Sequence, residues 1–344
     1  MNAPQGVDEA SLTTFLTDRG IISGKLEFTL IAGGKSNLTY LVRNGVNEFV
    51  LRRPPLGHVL ATAHDMAREY RVIDALGGTN VPVPDAVVFC EDEAVLGAPF
   101  YVMSKLEGVS YRSQQDLRDK EPTWVADVAN AMMTTLAQLH HVDPRSVGLE
   151  TFGKPEGYLA RQVRTWGRQL DASRSRDIPG IDELRAAIEA DVPSERRAAI
   201  VHGDYRLDNL LVADNGTVTG IVDWEMATLG DPLADIALTL AYVEVARRQR
   251  EVGIFEGIAD ACTAPGFPSD DALITAYATA GGEEITAADL SWHLALSFYK
   301  LAAILEGIYL RHTNGQTVGD GFDSVGDIVP LAVSAGHDAL KVRS

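Results

Sequence analysis

Cysteine is the rarest residue of this 344-residue chain: there are two, Cys90 and Cys262, far apart and without metal-ligand spacing. Two such thiols give no disulfide framework and no zinc site, and they fit a reducing compartment. Positive charge is also short. Thirty Lys and Arg stand against 48 Asp and Glu, a formal charge of −18. That balance repels nucleic acid and anionic membrane surfaces, so neither is expected as a partner, and an anionic ligand would need a local basic pocket or a cation. The opening "MNAPQGVDEASL" lacks the basic stretch and apolar core of a secretory leader. The apolar run near Ile236 to Val243 falls well short of the roughly 20 residues that span a bilayer. A cytoplasmic location is expected. Repeats and low-complexity tracts are missing too.

Apolar residues are plentiful, 46% of the chain, and a chain this long exceeds the usual single core, so two lobes are expected. "KLEFTLIAGGKSNLTYLVRN" reads as two β-branched and aromatic runs joined at a Gly-Gly turn, and "EFVLRRPP" as a third strand stopped by prolines. Met66, Tyr70, Ile73 and Leu76 recur at helical spacing between Ala61 and Leu76. "VPVPDAVVFC" and "APFYVMSKLEG" return to strand character. After Gly108 the texture becomes helical, beginning with "TWVADVANAMMTTLAQLHHV". Further helices are predicted near 156–174, 182–191, 232–247, 270–280 and 286–312. Asp231-Pro232 supplies an N-cap and a first-turn proline for one of them. The pattern gives an α+β chain: an antiparallel β-rich lobe with one helix over 1–103, a connector over 104–108, and a larger, mainly helical lobe over 109–344.

The chemistry concentrates in "VHGDYRLDNLLV", residues 201–212. Asn209 precedes a strand, the turn "DNG" and a second strand that ends at Asp223. Asp-Asn-Gly is a strong hairpin signal, and folding there returns Asn209 and Asp223 to the same open end. An amide oxygen and a carboxylate suit a hard cation such as Mg²⁺, which takes one or two protein ligands and completes its shell with water and substrate phosphates. Asp204, on the preceding loop, is free to accept a proton from a hydroxyl. That arrangement describes phosphoryl transfer. The competing account of these residues, as caps of turns, explains each one singly but not their joint spacing.

"HGDYRLDN" and "IVDWE" resemble the aminoglycoside phosphotransferase and choline kinase family, relatives of the protein kinases, over most of the chain. The resemblance implies a bilobal protein-kinase-like fold, with Asp204 as catalytic base and Asn209 and Asp223 as Mg²⁺ ligands. It makes His202 a bracing residue, and Asp235 a buried carboxylate that holds the catalytic loop through backbone hydrogen bonds. ATP is the implied nucleotide. Its candidate contacts are Gly34, Ser36 and Asn37 in "AGGKSN", where glycines let backbone N–H groups approach phosphate. Arg52 in "FVLRR" stands where related kinases carry lysine, with Glu69 as its helix partner. Arg53, alternating with it, is expected on the opposite, solvated face. Met103 would back the adenine pocket, and the Ser104 and Leu106 backbones would read the base edge.

For the acceptor, Arg161, Arg164 and Arg168 share one face of a helix, and Lys300 and Arg311 lie on a polar stripe of the late helix with His293, Ser297 and Gly307. Such stripes are ordinarily solvated faces bearing ion pairs. If they line a pocket they favour an anionic small molecule. The chain looks closest to the kinase-like domains associated with acyl-CoA dehydrogenases in "FVLRRPP", "DWEMATLGDP" and "YKLAAILEGIYLR", whose implied acceptors are hydroxyacyl thioesters. The alternatives are an aminoglycoside or choline-type O-kinase, which the net charge would suit, and a pseudokinase that binds nucleotide without transfer, which Arg52 motivates.

Overall fold

Alternating apolar side chains in the first hundred residues build a five-stranded antiparallel sheet. The computed structural model describes residues 5–33, 37–45, 47–56, 65–281, 284–317 and 321–342. The chain divides into two units, Met1–Glu107 with Thr219–Glu225, and Gly108–Val218 with Met226–Ser344. The first division falls inside the 104–108 connector drawn from sequence, whereas the return of 219–225 to the first unit has no counterpart in the linear reading.

In the first unit, α1 (Glu9–Asp18) precedes β1 (Glu27–Gly33), β2 (Leu38–Asn44) and β3 (Asn47–Arg53); then come α2 (Met66–Leu76), β4 (Ala86–Cys90), α3 (Glu93–Leu96) and β5 (Phe100–Ser104). The sheet order is β1-β2-β3-β5-β4. Register places Arg52 opposite Thr39 on one side and Tyr101 on the other. Leu12, Leu16, Leu51, Phe100 and Val102 form the centre of this unit's core. The single helix expected here is corrected to three. Helix α1 starts at Asp8, whose carboxylate accepts from the Ala10 and Ser11 N–H groups, and it buries Leu12, Phe15 and Leu16. A helical i, i+3, i+4 apolar set was present there.

A second correction concerns Arg53. Arg53 is 4% exposed. Its guanidinium donates to the carbonyls of Leu96 (3.0 Å) and Gly6. Strand alternation did send it to the face opposite Arg52, but that face is covered.

The second unit contains α4 (Pro122–His141), α5 (Tyr158–Ser173), α6 (Ile181–Ala190), β6 (Ala199–Val201), β7 (Leu210–Val212), β9 (Thr228–Gly230), α7 (Pro232–Glu251), α8 (Asp270–Gly281), α9 (Ala287–Thr313) and α10 (Val325–Lys341), with β8 (Val218–Ile221) crossing the division. The turn between β7 and β8 is closed by Gly216 N–H on Ala213 O and Ala213 N–H on Thr217 O, both 2.9 Å. Asp231 caps α7 by accepting from Leu233 N–H at 2.9 Å. Helix α9 opens with a reciprocal capping box between Thr286 and Asp289. At 27 residues it is long and apolar enough to cross a membrane by length and composition alone, and 67% of its most apolar window is buried within the protein.

Helix α10 has no counterpart in the sequence reading. Pro330 sits inside it, and a proline there cannot donate to the carbonyl four residues back. That carbonyl belongs to Gly326, and Arg176 takes it at 2.5 Å. The same guanidinium pairs with the fully buried Glu306 at 3.0 Å and lies over the Tyr309 ring. A residue from the α5–α6 connection thus substitutes for the missing helical donor.

Candidate active site

In the first unit the charged residues gather around Glu69. Helix α2 buries Met66, Glu69, Val72, Ile73 and Leu76 on one face, so its carboxylate enters the protein with the apolar residues. Glu69 is 1% exposed. It accepts from Asn37 Nδ2 and from the Tyr101 hydroxyl, each at 2.9 Å, and lies 3.1 Å from Arg52 Nε. Arg52 Nη2 reaches Asp223 Oδ1 at 3.0 Å. Desolvation pushes the Glu69 carboxyl up against the pull of Arg52. Burial alone would lower Arg52, but Tyr101, Glu69 and Asp223 outweigh it and hold the guanidinium firmly charged. Asp223 adopts φ 68°, left-handed backbone that non-glycine residues rarely take. Its carboxylate is therefore presented by a strained peptide.

Asn37, Arg52, Glu69 and Asp223 are brought together, of which the sequence reading paired only Arg52 with Glu69; it set Asp223 beside Asn209 and gave phosphate to Asn37. Its amide nitrogen is committed to Glu69 and it is 5% exposed, so it buttresses the ion pair. Gly34 and Ser36 lie outside the described residues. Met103 is 8% exposed on β5. Ser104 N–H is already donated to Asp85 O at 2.9 Å, and Asp85 N–H returns to the Ser104 hydroxyl at 2.8 Å. That N–H is consequently not available to a base edge. Leu106 is half-buried in the irregular segment after β5. Tyr101 was missed; its signal was its place opposite Arg52 across the sheet.

In the second unit the loop after β6 carries the chemistry. Asp235, on the first turn of α7, accepts from the His202 N–H at 2.6 Å and the Gly203 N–H at 2.8 Å. His140 Nε2 lies 3.3 Å from the same carboxylate, and Tyr277 OH 2.8 Å from His140 Nδ1. Burial alone would raise Asp235, but these donors hold it below the usual carboxylate range, while desolvation lowers His140. Gly203 has φ 80°, and a Cβ there would meet Met226 O at 2.6 Å. Only glycine fits. Thr239 Oγ1 donates to Tyr205 O and Tyr205 OH to Met132 O, both 2.7 Å. His202, 0% exposed, accepts the Asp204 N–H on Nδ1 at 3.3 Å. The bracing roles inferred for His202 and Asp235 have this geometry.

Asp204 sits at the centre of the loop. Its Oδ1 accepts from the Tyr242 hydroxyl at 2.9 Å, and its Oδ2 from Asn209 Nδ2 at 3.1 Å. Burial would raise this carboxyl, but Arg206, Lys300, His202 and the Tyr242 hydroxyl hold it below the ordinary range. It is an anion at neutral pH. Asn209 also donates to Asp204 O at 2.8 Å, so its nitrogen is spent and its Oδ1 is the atom left for a cation. Among the described residues no group of three or more His, Cys, Asp or Glu could hold a metal ion. A cation at Asn209 or Asp223 would therefore complete its shell with substrate oxygens, as Mg²⁺ does. Tyr242 was also missed, although it lies two helical turns after Asp235 on one helix.

The acceptor candidates scatter. Arg161 curls back onto the carbonyls of Glu156 (2.5 Å) and Lys154, fastening the loop before its own helix. Arg164, Arg168 and Arg311 are exposed. Lys300 alone approaches the loop: its Nζ donates to Gly203 O at 2.8 Å and sits 5.0 Å from the Trp166 ring centre. Desolvation lowers it against the attraction of Asp204 and Asp235. The late-helix stripe is not a solvated face, since His293, Ser297 and Gly307 are buried.

The model of a family described as the phosphotransferase enzyme family matches residues 27–271. Acyl-CoA dehydrogenase family member 10 of Mus musculus is 36% identical over 298 residues, 86% of this chain and 27% of that protein. The chain thus spans about a quarter of that relative's length. A solved structure from Ralstonia eutropha JMP134, provisionally assigned as an aminoglycoside phosphotransferase, is 31% identical with TM-score 0.83, covering 97% of this chain and 98% of the other. A thermostable mutant of the aminoglycoside phosphotransferase APH(4)-Ia, solved in ternary complex with AMP-PNP and hygromycin B, shares the fold at 15% identity and TM-score 0.59, over 96% and 98% of the two chains.

Proposed function

The chain belongs to the phosphotransferase enzyme family, and from that premise we propose that it moves the γ-phosphoryl group of ATP to a hydroxyl of a small molecule, with Asp204 as the catalytic base. The observation that carries this reading is the Asp204 carboxylate itself: anionic, immobilised on both oxygens, and mounted on a loop pinned by Asp235. In the step, the acceptor O–H proton passes to Asp204, the acceptor oxygen forms a bond to the γ-phosphorus, and the β–γ bridging P–O bond breaks to release ADP. Arg52 holds phosphate oxygens, and Glu69 and Asp223 fix its guanidinium. Asn209 through Oδ1 in the second unit, and Asp223 through its carboxylate in the first, would each be an oxygen donor for Mg²⁺, which when bound would neutralise phosphate charge. The intact Asp204, Asn209 and Asp223 favour transfer over a nucleotide-holding pseudokinase.

For the acceptor we assign a hydroxyacyl thioester. Support comes from the relative named for acyl-CoA dehydrogenases and from the exposed cations Arg164 and Arg168, which suit an anionic partner. The aminoglycoside reading has its own observation, the name given to the 31% identical structure. ADP release measured over hydroxyacyl-CoA species, aminoglycosides, choline and ethanolamine decides between them. Turnover with hydroxyacyl-CoA alone is expected; turnover with an aminoglycoside alone rejects this acceptor, and MgATP binding without ADP release from any acceptor rejects transfer.

A further inference from the structure

A carboxylate turns easily about its Cβ–Cγ bond, because that torsion has a broad, two-fold profile. A catalytic base must nonetheless offer one lone pair in one direction, and a small misplacement lowers the rate steeply. The backbone contacts of the loop at 202–204 do not supply that constraint: Asp235 holds the His202 and Gly203 N–H groups, and Lys300 holds the Gly203 carbonyl, all of them main-chain atoms. The rotation of the Asp204 side chain depends on what touches its two oxygens. Asn209 is on Oδ2, and the Tyr242 hydroxyl is on Oδ1.

Resting on the phosphotransferase reading, we propose that Tyr242 is a positioning residue that sets the rotation of the Asp204 carboxylate. Two features fit it for that work. It stands on α7 seven residues after Asp235, two turns along the same helix, so one rigid element fixes both the loop's main chain and the base's side chain. Its ring is itself held, with the Arg206 guanidinium 4.7 Å from the ring centre. Arg206 in turn pairs with Asp208 at 2.9 Å and approaches Asp204 Oδ2 at 3.6 Å. The phenol is kept protonated, pushed up by burial and by the Asp204 charge, so the hydroxyl remains a donor to the carboxylate. It takes one lone pair of Oδ1 and leaves the other to receive the acceptor proton.

The test uses the full chain with MgATP and water as the acceptor: a water proton passes to Asp204, the water oxygen bonds to the γ-phosphorus, and ADP and phosphate leave. Tyr242→Phe deletes only the hydroxyl and keeps the ring beside Arg206. The rate of ADP release at saturating MgATP should fall about tenfold, the size expected for one charge-assisted hydrogen bond, while the KM for MgATP stays at its wild-type value and the protein remains folded with a modestly lower thermal midpoint. In an Asp204→Asn background the same change should have no further effect, and in wild type it should displace the ¹³C-carboxyl resonance of Asp204. An unchanged rate in Tyr242→Phe, an unmoved resonance, or an equal loss in both backgrounds overturns the positioning role and leaves phosphoryl transfer standing. No ADP from the wild type with any acceptor removes the transfer reading and this role together.

Discussion

Arg52 and Arg53 are adjacent on β3, and their guanidinium groups have different tasks. Arg52 bridges Glu69 and Asp223; Arg53 ties the carbonyls of Gly6 and Leu96. Arg52→Lys replaces a planar fork by a point charge that cannot serve two carboxylates at once. Its KM for MgATP should rise about tenfold, roughly the value of one lost charge-assisted hydrogen bond, with the thermal midpoint little changed. Arg53→Met should do the reverse: loss of about 2 kcal/mol of stability, from carbonyls left without a donor, with turnover per folded molecule intact. Urea melts and steady-state kinetics on the two variants separate the outcomes, and equal kinetic damage from both would put the register of β3 in error. Alternation made the opposition of these two side chains legible from sequence. What lay behind Arg53 was not legible, because the carbonyls that receive it lie 47 and 43 residues away in sequence. The nearness of Asp204 and Asn209 was readable from their spacing, whereas Tyr242 and Tyr101 act through contacts 38 and 32 residues distant in sequence, which no local pattern encodes.

Among the elements, the catalytic loop and the α9 cap make opposite kinds of prediction. Gly203→Ala puts a side chain on left-handed backbone and a Cβ 2.6 Å from Met226 O. It should cost about 2–4 kcal/mol or more of local stability and abolish ADP release. A fully active Gly203→Ala protein would mean that the loop has another conformation in turnover. At α9, Thr286→Ala removes the cap and should cost about 1 kcal/mol with no kinetic effect. Its partner Asp289 has its carboxyl lowered to about 2 by Thr286, with Arg196 adding to it. A depressed folded-state value means stability that is present above about 3.8 and lost as pH falls toward about 2. Asp289→Asn should therefore destabilise at pH 6, and its deficit relative to wild type should shrink between pH 4 and pH 3; a deficit constant across that range would show the carboxylate charge to be idle. Helices α5 to α9 were legible because each repeats apolar residues at a helical period. Helix α10 was not, since Pro330 reads as a stop signal and its packing face relies on Gly326 and Gly336 seated against Tyr309 and Leu184.

At the scale of the whole molecule, a ligand that binds only the folded chain adds stability by mass action, about 2.7 kcal/mol at a hundred times its dissociation constant. MgATP should raise the thermal midpoint of wild type and of Asp204→Asn alike, since that carboxylate is assigned to the acceptor. Asp223→Ala should respond little, and EDTA should remove most of the effect in every variant. An EDTA-insensitive shift would remove Asn209 and Asp223 as cation ligands. The Arg176 contact to Gly326 joins residues 150 apart, and this separation bears on how the chain is made. As the polypeptide leaves the ribosome, Arg176 emerges long before Gly326, and at about 5–20 residues per second the interval lasts on the order of 10 s. During that time the guanidinium can meet Glu306 once α9 is out, but the carbonyl that Pro330 leaves open does not yet exist. The nascent second unit therefore carries an unfilled socket of defined chemistry, and docking of α10 is the event that closes it.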